Sequence, residues 1–499
     1  MNTPETAAVG NPLALRDLLI EALPEETSDH GQHPDPRRVY LPGSHAKAIG
    51  PNTMVVSGMR GAGKSFWWAA LQDGRIRSMV DRLNPRAGVS EKTSVQVGFG
   101  EQPRPGEYPD RDTLRRMLEG GSDPRLIWRT VVVHKVAPIG HAIRERSLWT
   151  ERLGWVQENT ESVGNLLDER DREFERDETW FLVLFDALDR SADQWADINR
   201  LVRGLLQVAL DLRPYRRLRL KCFLREDQID ERRVADFPDA SKVLTSKVDL
   251  TWPRPDLYGL LCQYAVNAEH PGAQDFRERA HSHRVTLSPV PAGDVEVWHP
   301  SPDGDPEAPQ RELFHSLTGE WMGTDHRRGF PYSWLPGHLA DAYGRTSPRT
   351  FLAALRKAAQ DTRQRHPRHE FVLHHESIKR GVQEASKIRV REVKEDHPWV
   401  DLLMEPLARL VVPCGFDQVV DRWEAEKTLK KLDEKIQARE ERFRSAHWGE
   451  GPEGLRKDLE ALAVFMRMND GRVNIPDVFR VGYGLGRRGG VKPIRRTEA

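Results

Sequence analysis

Residues 58–65 read GMRGAGKS, an unbroken G-x-x-x-x-G-K-S. It lies directly after Met54-Val55-Val56 and directly before Phe66-Trp67-Trp68-Ala69-Ala70-Leu71. A phosphate-binding loop needs a strand to deliver it and a helix whose first turn faces the anion, and the flanking apolar runs predict both. Gly58, Gly61 and Gly63 let the backbone bend around Ala62 so that successive N–H groups point inward. Lys64 is then placed to reach the β- and γ-phosphates, Ser65 to offer its hydroxyl to Mg²⁺, and Phe66 to open the helix. The pattern implies a nucleoside triphosphate with Mg²⁺.

The composition agrees with a folded protein of several domains. The chain has 499 residues, 38% hydrophobic and 30% charged, with 76 basic and 76 acidic side chains. That length supports two to four domains with real cores. Zero formal charge supplies no global field toward nucleic acid, so any DNA contact must be local. No apolar run approaches the roughly 18–20 residues of a membrane span. The N-terminus lacks the basic-then-apolar layout of a secretory leader, and a cytoplasmic protein is expected. The three cysteines, Cys222, Cys262 and Cys414, are far apart and read as buried thiols.

Around the loop, strands and helices alternate. Residues 94–99 and 129–136 (RTVVVHKV) read as strands, the second from its run of β-branched residues. Residues 180–185 (WFLVLF) form the most apolar strand, and 219–224 another. Ile198, Leu201, Val202, Leu205, Leu206 and Leu210 give residues 191–212 a helical apolar face. Residues 12–23 and 141–178 also read as helical. The expected fold class is α/β: a P-loop NTPase parallel sheet with helices on both faces, then a helical lid and a C-terminal helical or winged-helix region. The expected divisions are 1–40 (helix and loop), 41–250 (nucleotide-binding), 251–375 (helical lid) and 376–499 (C-terminal region). Within the lid, residues 286–310 read as an exposed Pro/Gly-rich insertion. A charged helix over 421–445 carries Leu429, Leu432 and Ile436 as a packing stripe, and a last amphipathic helix is expected over 455–468.

Asp186 ends the WFLVLF strand, where open α/β sheets hold their ligands, and is the candidate Mg²⁺ carboxylate. Asp189, three residues on, either orients the attacking water or caps a local turn. Arg225 ends the next strand, either as a sensor of the γ-phosphate or as a partner of Glu226 or Asp227. Arg349 follows Pro348 near the start of a helix, from which it could reach a nucleotide when a hinge closes.

Taken in order, GMRGAGKS, WFLVLFDALD, KCFLRED and SPRTF resemble the AAA+/STAND group of P-loop ATPases, in particular prokaryotic members related to KAP-type and origin-recognition-type ATPases. The resemblance spans about residues 40–360. It implies that Lys64 and Ser65 bind nucleotide and Mg²⁺, that Asp186 is the metal carboxylate, that Arg225 is the strand-end sensor and that Arg349 is the lid arginine. One departure stands out. AAA+ machines carry Asp-Glu at the strand end with Glu as base, and here Ala187 takes the Glu position. That favours slow, state-setting hydrolysis, as in a signalling or defence switch with an effector protein partner. Oligomeric state is left open, since no arginine supplied in trans is evident.

Two other features are weighed. His366, His369, His374 and His375 mimic a zinc helix, but the five-residue step from His369 to His374 diverges by about 140° on a helix, so solvated histidines are expected. Near the C-terminus, Arg480, Arg487, Arg488, Lys492, Arg495 and Arg496 follow one another without an acid between them. If the region is a winged helix, with Arg487 and Arg488 on its wing, these residues could hold duplex DNA. Packing alone is the favoured alternative. A scaffold that binds ATP without hydrolysing it is a third reading.

Overall fold

In a computed structural model of the chain, the described residues are 11–25, 34–229, 234–301, 305–438, 443–488 and 491–493. They fall into two compact units. One comprises Asp29–Thr251 with Val290–Val297, and the other the described residues of Met1–Ser28, Trp252–Pro289 and Trp298–Ala499.

The first unit is built on five strands: β1 (Val55–Gly58), β2 (Ser94–Phe99), β3 (Phe181–Phe185), β4 (Leu218–Arg225) and β5 (Val248–Asp249). They lie in the order β2-β3-β4-β1-β5, and every adjacent pair is parallel. All residues of β1 and β3 are buried, the burial that a sheet covered on both faces imposes. This is the α/β class expected. The two-residue β5 is too short to show a pattern in the sequence.

Residues 129–136, expected as a strand, belong instead to the helix Pro124–Val136. Asp123 caps it by accepting from the Arg125 N–H (3.0 Å), and Pro124 occupies its first turn. Nine of its residues are buried, so little polar face remained to reveal a helical period. Trp128 is central to its docking. The indole N–H donates to the Leu201 carbonyl (2.8 Å), and the ring packs edge-on against Phe99 and Phe185. The crossing with the helix Trp195–Leu212 is close enough that a Cβ at Gly204 would meet the Pro124 backbone at 2.6 Å.

Lys221 on β4 is fully buried, and its ammonium donates to the carbonyls of Ala48 (2.7 Å), Gly50 (2.8 Å) and Thr53 (2.6 Å). Three charge-assisted bonds fasten the turn that leads into β1. Burial pulls the Lys221 ammonium down to about 7.

The second unit is mainly helical. Gly381, in the helix His375–Asp396, lies so close to the Ala354 carbonyl of the helix Pro348–Arg365 that a Cβ would overlap it. The helix Pro12–Ala22 is tied in by Arg16, a fully buried guanidinium that donates to the carbonyls of Pro367, His369, Phe371 and Val372 at 2.6–2.8 Å.

Three expectations need correction. Among the described residues of 286–310, expected as an exposed insertion, Leu287–Ala292 pairs with Val295–Pro300 and a helix begins at Glu307. The prolines masked an alternation in which Val290, Ala292 and Val297 are buried. The charged helix is two helices, Phe416–Ala425 and Thr428–Gln437, broken at Lys427 (φ 53°), although Leu432 packs inward as expected. The last amphipathic helix stops at Ala461, and Met466–Arg467 pairs antiparallel with Val473–Asn474.

Replacing Lys221 with Met should destabilise the first unit by about 3 kcal/mol, because three buried carbonyls lose their shared donor. Urea unfolding followed by tryptophan fluorescence would show the shift. An unchanged midpoint would mean that the ammonium does not hold the turn.

Candidate functional site

The parallel order brings the C-terminal ends of four strands into one row. Gly58 lies beside Arg225, and Phe185 lies beside both Cys222 and Phe99. Past these ends come the phosphate-loop motif from β1 and Asp186 from β3.

Gly61 (φ 79°) and Gly63 (φ 101°) occupy left-handed backbone that side chains rarely tolerate, so the sequence and the bend agree. Gly63 caps the helix Lys64–Ala70. Its first intrahelical bond runs from the Trp67 N–H to Gly63 O (3.0 Å), so the N–H groups of Lys64, Ser65 and Phe66 precede that bond. Phe66 packs edge-on against Trp67. Behind the loop, His45 Nδ1 accepts from the Trp67 indole N–H (3.0 Å), which leaves Nε2–H to donate to Thr251 O (3.0 Å). Burial holds this imidazole neutral, down to about 4.

Lys64 folds back over the loop and donates to the carbonyls of Gly58 (2.7 Å) and Met59 (3.0 Å). Burial lowers its pKa to about 8, opposed by the Asp186 carboxylate. Asp186 is 6% exposed and accepts from the Ser65 hydroxyl and the Ala187 N–H. Burial raises it to about 6, against those hydrogen bonds and Lys64. Thus Lys64, Ser65 and Asp186, chosen from two distant stretches of sequence, meet in one cluster, with Asp186 buried, Lys64 half-buried and Ser65 exposed.

Arg225 is held by Asp227 through two hydrogen bonds (3.0 and 2.7 Å), with Asp189 3.9 Å from the same guanidinium. Lys64 senses the charges of Arg225, Asp227 and Glu226, which places the strand-end arginine in the same electrostatic neighbourhood. Arg349 belongs to the other unit, where it pairs with Glu392 (2.9 Å). Sequence reading passed over Glu101, which lies two residues beyond β2 and pairs with Arg190 (2.7 Å). Its nearness to the Asp186 strand follows only from the strand order.

His366, His369 and His374 lie in a loop and His375 opens a helix, all part-buried where solvated histidines were expected. The chain from His366 to His374 is a turn, not a helix, and brings the rings of His366 and His374 into a stack at 3.8 Å, with His369 and His375 alongside. Among the described residues, no group of three or more His, Cys, Asp or Glu is placed to hold a metal ion. The C-terminal arginines also need revision. Arg480 is fully buried, bonded to Asp477 and to the carbonyls of Leu485 and Val491, so it cannot face phosphate. Arg487 leans on Asp477, and with Arg488 it lies after the 466–474 hairpin rather than on it. Arg495 and Arg496 lie outside the described residues. All three cysteines are buried and free. No described helix is long and apolar enough to cross a membrane.

No family model matches the chain, and no curated protein matches it either. Among solved structures, it is similar to Cdc6p from Pyrobaculum aerophilum, at 9% identity over 86% of this chain and 85% of that one, with a TM-score of 0.27. It is also similar to the ORC2 protein of Aeropyrum pernix, solved as ADPNP–ADP complexes, at 11% identity over 93% and 98%, with a TM-score of 0.28. Superpositions this loose carry no weight for function, and the fold class rests on the strand order and the loop.

The lowered Lys64 pKa has a consequence for anion binding. Above about pH 8 the ammonium loses its proton and with it the attraction for phosphate. Affinity for a nucleoside triphosphate in metal-free buffer should therefore fall by up to about tenfold per pH unit between 8 and 10. Calorimetric titration across pH 6.5–10 measures this, and a flat profile would separate Lys64 from the anion.

Proposed function

We propose that the chain is an ATP-binding, Mg²⁺-dependent P-loop ATPase of AAA+/STAND type, working as a nucleotide-controlled switch. The observation that carries this reading is the meeting of Lys64, Ser65 and the buried Asp186 past the ends of β1 and β3. A lysine already folded over its own loop carbonyls needs only to exchange them for phosphate oxygens. The residues also suit the metal, since a hydroxyl and a carboxylate that share a hydrogen bond are the hard oxygen donors Mg²⁺ prefers. When bound, the ion would neutralise charge on the β- and γ-phosphates.

In this reading, Gly58, Gly61, Ala62, Gly63 and the N–H groups of Lys64, Ser65 and Phe66 surround the phosphates. Arg225 exchanges Asp227 for the γ-phosphate and so reports its presence, while Asp189 helps orient water. Arg349 is the arginine of a helical lid, freed from Glu392 when that lid meets nucleotide. The division of the second unit into a lid (251–375) and a C-terminal region (376–499) belongs to the same proposal. So do a cytoplasmic setting, a role in bacterial defence or signalling, an effector protein partner and a homo-oligomer. Duplex DNA as a partner through the C-terminal arginines is the weaker alternative, because Arg480 is spent on internal contacts.

Lys64→Ala should weaken ATP binding at least about a hundredfold, with the phosphate charge left unpaired. Asp186→Ala should leave ATP bound but slow phosphate release by about a hundredfold or more. Equilibrium binding of a fluorescent ATP analogue and a phosphate-release assay separate the two. ATP binding with no phosphate release by the wild-type chain would favour the scaffold reading. For DNA, a mobility shift that persists unchanged in the Arg487→Ala, Arg488→Ala double variant would remove those arginines from any interface.

A further inference from the structure

Where a base would follow Asp186, the chain has Ala187, held at φ 56° and without a side-chain oxygen. Another carboxylate at the same sheet edge is needed if hydrolysis is to have a proton acceptor. Asp249 accepts the Ser57 hydroxyl (2.5 Å) and pairs with Lys247 (3.2 Å) at the far strand. Asp227 has both oxygens on Arg225, and Asp189 is turned toward that arginine. Glu101 remains.

Three observations place it. Phe99 lies in register with Phe185, and the Asp186 N–H donates to the Phe99 carbonyl (3.1 Å), so the exits of β2 and β3 run side by side. Gly100 then passes so close to the helix after the phosphate loop that a Cβ there would meet the Trp68 indole at 2.6 Å. Glu101 therefore emerges beside both the Asp186 turn and the loop helix. Its carboxylate, 29% exposed, pairs with Arg190, which is 60% exposed and belongs to the turn Leu188–Arg190 that follows Asp186.

We infer that Glu101 is the general base of the hydrolysis, parked on Arg190 until ATP is bound. This rests on the ATPase reading above. A water O–H bond breaks and its proton passes to the Glu101 carboxylate as the oxygen attacks the γ-phosphorus. The bond from that phosphorus to the bridging oxygen breaks, and its electron pair leaves on ADP. Inorganic phosphate departs, and the proton returns to solvent. The Arg190 pair must open first.

The test compares full-length wild-type, Glu101→Gln, Glu101→Asp and Arg190→Ala chains by fluorescent ATP-analogue binding and by phosphate release between pH 5 and 9. Glu101→Gln should bind within about threefold of wild type yet release phosphate about a hundredfold or more slowly, the scale of a lost base. Glu101→Asp should recover part of the rate, and Arg190→Ala should raise it. Phosphate release by Glu101→Gln at more than half the wild-type rate overturns the assignment while leaving the ATPase reading intact, as does parallel loss of binding and turnover. Wild-type chain that releases no phosphate overturns both.

Discussion

Everything at the strand ends depends on a lysine and an aspartate kept ionisable in a place that opposes charge. Burial works against both, pulling Lys64 down and pushing Asp186 up. What keeps the pair tolerable is local: two loop carbonyls for the ammonium, and a hydroxyl and a backbone N–H for the carboxylate. Charged groups held this way contribute little net stability to the fold. The surrounding architecture can be understood as the means of holding two uncomfortable groups in place.

That support is itself polar and buried. Lys221 ties three carbonyls ahead of β1, and His45 links the helix behind the loop to Thr251 through a fixed tautomer. Asp171 accepts three successive N–H groups, of Arg216, Arg217 and Leu218, where β4 begins. Apart from the Trp67 indole on His45, the partners of these buried groups are backbone groups, and full satisfaction locks a single geometry. The strands thus meet the loop with little freedom to slide.

How much could be read beforehand follows from how local each feature is. The loop was legible because a glycine-dependent bend, an ammonium and a hydroxyl sit within eight consecutive residues. The strand ending at Asp186 was legible because both its faces are covered and its apolar run is unbroken. The helix Pro124–Val136 failed the same test for the same reason: burial on nearly all sides erased its period, and only Asp123-Pro124 marked its start. Arg480 looked like surface charge, yet Asp477 three residues earlier on the same short helix turns it inward. Glu101 was beyond reach, since nothing in a linear chain says that β2 will border β3.

The division of the chain has a bearing on how it is made. The helix Pro12–Ala22 precedes the sheet in the chain, but the carbonyls that receive Arg16 lie at residues 367–372. Between them the ribosome delivers the entire five-stranded sheet, whose pairing is finished by residue 249. The sheet can therefore condense during translation while this helix waits for the partners it packs against, the helices Arg254–Val266, Gly272–Ser282 and Pro348–Arg365. A segment held in suspense for that long is where a chaperone would be needed most.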